Sequence, residues 1–166
     1  MGRFNKTKFI KQQFIQRVEE VEVNSLHKWF DLSETDRKWF SASSQEKSAL
    51  IKAGIEPSIC YWCVRGLTGS EVANVMSVTE KTRTLSTLVE AISNKSNVDD
   101  IKEAIGIGTD TPLDIAKRLE QLVYGSVDPV MSHDVAIKLA ENFPVEFYVL
   151  TNTINKLTGL GMDLKK

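Results

Sequence analysis

At 166 residues the chain has single-domain length, and its 42% apolar and 26% charged content is that of a globular protein able to bury a core. A formal net charge of -1, with an isoelectric point near 6.2, denies it the broad basic footprint that binding to nucleic-acid backbones needs. There is no signal-peptide-like apolar run, no stretch near the roughly 18 residues of a membrane span, and only two cysteines, so a reducing cytosol is expected, with neither membrane nor nucleic acid as partner.

A single domain over 1–166 is expected, dividing by pattern near residue 67 into a mixed α/β region (1–66) and a helical region (67–166). Phe9, Ile10, Phe14 and Val18 recur at the three- and four-residue spacings of an amphipathic helix over 6–18. Glu20-Val21-Glu22-Val23 alternates with period two, which is a short strand signal. Asp31 to Ile55 is polar and helix-compatible, anchored only by Trp39-Phe40 and Leu50-Ile51, and Gly54 and Pro57 close it. Ile59 to Arg65, rich in aromatic and β-branched residues, is predicted as a second strand. It can pair with residues 20–23, leaving the segment near 28–57 looped out as an insertion.

From Leu67 onward the signals are helical. Thr68-Gly69-Ser70-Glu71 is a capping box, in which the Thr hydroxyl bonds the amide of the third helical residue and Glu reaches back. Leu85, Leu88, Val89 and Ile92 form one apolar stripe, and Asn97 caps a shorter helix holding Ile101, Ala104 and Ile105. Thr111-Pro112 starts a helix that buries Ile115, Leu119 and Leu122. Ser132 caps the next, with Ala136, Leu139, Ala140 and Phe143 on one side. Pro144 opens the last, whose stripe is Phe147, Leu150, Ile154 and Leu157 and which stops at Gly159 or Gly161. The expected fold class is therefore mainly α: a bundle of about five helices with a small N-terminal β-hairpin-like element.

No catalytic constellation emerges. Cys60-Tyr61-Trp62-Cys63 has CxxC spacing, but on a strand residues three apart face opposite ways. A zinc site would need two further ligands, and only His27 and His133 exist, both distant. His133-Asp134 lacks a glycine-flanked nucleophile, and Gly106-Ile107-Gly108 lacks the lysine and third glycine of a phosphate loop. Structural cysteines, a helix start and a turn are the expected roles, with no catalytic residue, metal or cofactor. A helix-turn-helix over Ser70 to Leu88 is the main rival, yet Arg83 and Ser86 stand where its recognition helix should bury apolar side chains.

Two stretches resemble a known family. Val18-Glu19-Glu20-Val21-Glu22-Val23, followed by Val64-Arg65-Gly66-Leu67-Thr68-Gly69-Ser70-Glu71, is similar to the N-terminal signature of the tail assembly chaperones of long-tailed (siphovirus-type) phages. Val127-Asp128-Pro129-Val130-Met131-Ser132, running on through Leu139, Pro144 and Ile154 to Leu157-Thr158-Gly159-Leu160-Gly161, resembles their closing helices. The likeness brackets the chain from about residue 18 to 164, and residues 28–57 depart from it.

The resemblance implies a non-enzymatic protein that binds the tape measure protein and keeps it soluble while tail tube subunits assemble around it. It implies action in the host cytoplasm and absence from the finished virion. It also implies a frameshifted longer form that recruits the tail tube protein; self-association is compatible with the same role. Arg65, Gly66, Leu67, Thr68, Gly69, Glu71, Gly159 and Gly161 are the structural motif residues. Trp29, Trp39, Phe40 and Tyr148 lie off the helix stripes and are the candidate partner-binding aromatics. The alternative function is a helical DNA-binding or adaptor regulatory protein.

Overall fold

The computed structural model describes residues 4–56, 58–78, 80 and 113–165. Near the N-terminus, Asn5 caps helix α1 (Lys6–Ile10) by accepting from the Lys8 amide at 2.9 Å. The helix stops after five residues and buries none of them. The continuous helix expected over 6–18 does not form. Instead Phe14–Ile15 (β1) pairs with the far end of the chain, and Val18 opens the next strand, Val18–Glu22 (β2). Short helices are marginal without a surface to cover their apolar side, and here Phe9, Ile10, Phe14 and Val18 all remain exposed.

β2 pairs antiparallel with Tyr61–Arg65 (β3), Val21 opposite Trp62 and Glu19 opposite Val64. Alternation turns Val21, Trp62 and Val64 into the core and Glu20, Glu22 and Tyr61 outward. The amide of Val23 donates to the Cys60 carbonyl at 2.8 Å and that of Cys60 to Asn24 Oδ1 at 2.9 Å, closing the neck of the intervening segment. That segment holds a 3-10 helix (Asn24–Trp29), then α2 (Glu34–Ser41) and α3 (Ser44–Lys52). Ser33 caps α2, and Ser43 with Glu46 forms a capping box on α3. Asp36 fastens α2 back onto the neck by accepting from the Ser58 amide at 2.7 Å, and its carboxyl is held below the usual range by hydrogen bonds from Ser33 and Ser58.

Beyond β3 the chain enters a helix over residues 69–78 (α4). The described chain resumes at α5 (Leu113–Gly125) and passes directly into β4 (Ser126–Asp128). It continues through α6 (His133–Asn142) and α7 (Pro144–Leu160) to β5 (Asp163–Leu164), the partner of β1. Pro144 opens α7, whose predicted stripe of Phe147, Leu150, Ile154 and Leu157 is fully buried, and Gly161 (φ 73°) ends it. α7 packs on α5, α6, β2 and β3, so it is the element around which the core is organised. Ser132 precedes α6 but makes no side-chain capping bond. The stripe of residues 85–92, the elements placed at 97–108, Thr111-Pro112 and residues 81–88 of the helix-turn-helix rival lie outside the described residues.

The expected helical bundle is thus corrected: the chain is mixed α/β, with five strands in two sheets among the described residues. β4 adds to β3, so the hairpin-like pair becomes a three-stranded sheet in the order β2-β3-β4, and this sheet forms one layer of the core. The buried Trp62 indole donates to Ser126 Oγ at 2.7 Å, which ties the central strand to β4.

Candidate protein-binding site

Residues 64–71 and the end of α7 meet in space. The Arg65 guanidinium grips Glu71 with two hydrogen bonds, at 2.8 and 2.9 Å. Glu71 also accepts from the Thr68 amide at 2.8 Å while its own amide donates to the Thr68 hydroxyl at 3.3 Å, which completes the capping box at the start of α4. Arg65 first, then the Thr68 donors, hold the Glu71 carboxyl at about 2 despite partial burial. Next to this clamp, the Leu67 amide donates to Thr158 Oγ1 at 2.9 Å. Gly66 packs on the backbone of α7 at the same point. Gly69 and Gly159 have open space around them. The motif residues that make contact therefore weld β3, α4 and the end of α7 together; they build the frame.

The open site lies elsewhere. Where the 3-10 helix, the start of β3, the end of β4 and α6 converge there is a cavity of about 890 Å³. Buried Leu26, Trp62 and Leu139 form its base, and Trp29, Val135 and Phe143 rise beside them. Trp29 is 67% exposed and leans edge-on against Phe143 with ring centres 5.1 Å apart. Asp31, Asp128, Lys138 and Asn142 add the polar lining.

Of the four candidate aromatics, only Trp29 lines this groove. Phe40 is half-buried and stacks on the His27 ring at 4.4 Å, packed against the core, and Trp39 beside it is also half-buried. Tyr148 is on the surface of α7 with the Arg118 guanidinium 4.7 Å above its ring. Leu139 and Phe143 were assignable from sequence only as stripe residues of α6. Their second role arises because the turn into α7 carries Phe143 across to Trp29, a pairing over more than a hundred residues that spacing does not encode.

The remaining motifs take structural positions. Cys60 is buried and Cys63 half-buried on the opposite face of the strand path. Burial raises both thiols, with Asp36 adding to the effect at Cys60, and Glu20 and Asp128 at Cys63. His133 pairs with Glu120 at 2.8 Å at the exposed start of α6. Among the described residues, no group of three or more His, Cys, Asp or Glu is placed to hold a metal, and no helix is long and apolar enough to cross a membrane. Comparison with family models, characterised proteins and solved structures gives no match to this chain.

Proposed function

We propose that this protein is a phage tail assembly chaperone that binds the tape measure protein and keeps it soluble during tail tube assembly. The observation that supports this reading is the open groove, apolar at its base and rimmed by Asp31, Asp128 and Lys138. A holdase needs apolar surface that a client can reach, together with charge that keeps copies of the holdase from aggregating. The resemblance of residues 18–23, 64–71 and 127–161 names the client. In this reading the chain works in the host cytoplasm and leaves before the virion is complete, and a frameshifted longer form brings in the tail tube protein.

The test is co-expression with the tape measure protein encoded by the same phage. A clear rise in soluble tape measure protein, with a complex recovered by pull-down, is the expected result. Tape measure protein that stays insoluble, with no complex recovered, overturns the reading.

A further inference from the structure

The groove has a chemical asymmetry that narrows what can occupy it. Its base is apolar, but the sheet side of its mouth is acidic. Asp31 and Asp128 line the mouth itself. Strand register extends the same charge across the open sheet face, because Glu22 lies opposite Tyr61, which lines the groove, and Glu20 opposite Cys63, which itself faces Asp128. All four carboxylates are exposed, and among the described residues none of them is in an ion pair. Among the described residues Lys138 is the only basic side chain lining the groove, and Arg65, at the other end of the sheet face, is committed to Glu71. The upward push of Glu20 and Asp128 on the Cys63 thiol agrees with their fields overlapping there.

The backbone limits the occupant further. Adding a peptide strand needs a free sheet edge, but β3, which opens into the groove, is paired on both sides, and β4 is only three residues long. What remains is a row of apolar and aromatic side chains with open space above them, the arrangement that receives one face of an amphipathic helix. We propose that the groove receives an amphipathic helical segment whose large apolar anchors are flanked by lysine or arginine. Anchors at three- and four-residue spacing enter between Trp29, Phe143 and Leu139, while the flanking cations face Asp31, Asp128, Glu20 and Glu22. The inference rests on the reading that this groove is where the chaperone holds its client, and it adds the chemistry of the segment held.

Selection from a random displayed library of helical-length peptides (about 15 residues, four turns) on the intact chain tests it. Selected peptides are expected to carry large apolar residues at helical spacing with basic flanks, and to gain helicity by circular dichroism when bound. The Trp29→Ala variant should bind them roughly thirtyfold more weakly, which is the loss expected for a central aromatic anchor. The double variant Asp31→Asn, Asp128→Asn should bind them several-fold more weakly at low salt, with the difference shrinking at high salt as screening takes over. Failure to select any peptide, selected peptides without basic enrichment, extended bound conformations, or affinity unchanged in both variants each overturn the proposal. Tape measure rescue by co-expression separates the two claims. Rescue and complex recovery undiminished in Trp29→Ala remove the groove assignment and leave the chaperone reading, whereas absent rescue with the unaltered chain removes the chaperone reading itself.

Discussion

Gly66 lies against Leu157 so closely that a Cβ at position 66 would come within 2.9 Å of the Leu157 carbonyl carbon. The atoms it would strike are backbone atoms of Leu157 and Thr158, which cannot rotate away as a side-chain tip can. This contact explains why a glycine sits between Arg65 and Leu67: β3 must pass the end of α7 at backbone distance for the Leu67 amide to reach Thr158 Oγ1.

Replacing Gly66 with alanine should therefore destabilise the fold by about 1–3 kcal/mol, the usual cost of overpacking a site that cannot relax. Gly159 is the internal control. It lies within α7 with nothing near its would-be Cβ, so Gly159→Ala should be neutral or stabilising by up to about 1 kcal/mol. Urea unfolding of the two variants checks this, and equal midpoints would mean the β3–α7 crossing is looser than it stands here.

The Arg65–Glu71 clamp gives a pH signature. The Glu71 carboxyl titrates at about 2 in the fold against an ordinary 4.5, so the stability it supplies is complete above about pH 4.5 and drains away as pH falls toward 2. Glu71→Gln keeps the acceptor for the Thr68 amide but removes the charge facing Arg65. With about a fifth of the Glu71 side chain still open to water, the loss at neutral pH should be on the order of 2 kcal/mol. The gap between the two proteins should close as pH drops from 4.5 to 2. A gap that stays constant over that window would show that the ion pair contributes nothing through charge.

Much of the fold was readable where one periodicity ran long enough. The α7 stripe is legible because four apolar residues repeat from Phe147 to Leu157 on a single face of a 17-residue helix. β2 and β3 are legible because Glu20-Val21-Glu22 alternates and Trp62 and Val64 sit two apart. β1, β4 and β5 are two or three residues each, too short for any period, and exist only because distant segments meet. Phe9, Ile10, Phe14 and Val18 misled because helical spacing is necessary for a buried helix face but does not supply the surface that buries it. The site shows the same division. Trp29 stood out as an aromatic off any stripe, whereas its partners Phe143 and Leu139 come from the other end of the chain.

The cysteines offer a test of strand facing. Cys60 is 2% exposed and Cys63 only half-buried, with burial pushing both thiols up from their ordinary value. An aromatic disulfide reagent at pH 8 should modify Cys63 slowly in the native chain and reach Cys60 only on unfolding. Two thiols reacting at the same rate under native conditions, or stoichiometric zinc in metal analysis, would contradict the opposed-face arrangement.

The last expectation separates the groove from the rest of the exposed aromatic surface. Trp29 and Tyr148 are both accessible, so composition alone ranks them equally as anchors. Their surroundings differ. Trp29 stands at the groove with its edge on Phe143, while the Tyr148 ring is already covered on one face by the Arg118 guanidinium, which also donates to Thr151 and Asn152. Trp29→Ala should cost less than about 1.5 kcal/mol of stability, the worth of one edge-on aromatic contact, yet about 2 kcal/mol or more of client binding. Tyr148→Ala removes a cation–π contact worth about 0.5–1 kcal/mol to the fold and should leave binding within twofold. Thermal unfolding and pull-down of the co-expressed tape measure protein, run side by side on both variants, give the two readouts. If Tyr148→Ala abolishes the complex while Trp29→Ala retains it, the client is held along the outer face of α7, and the groove is not its seat.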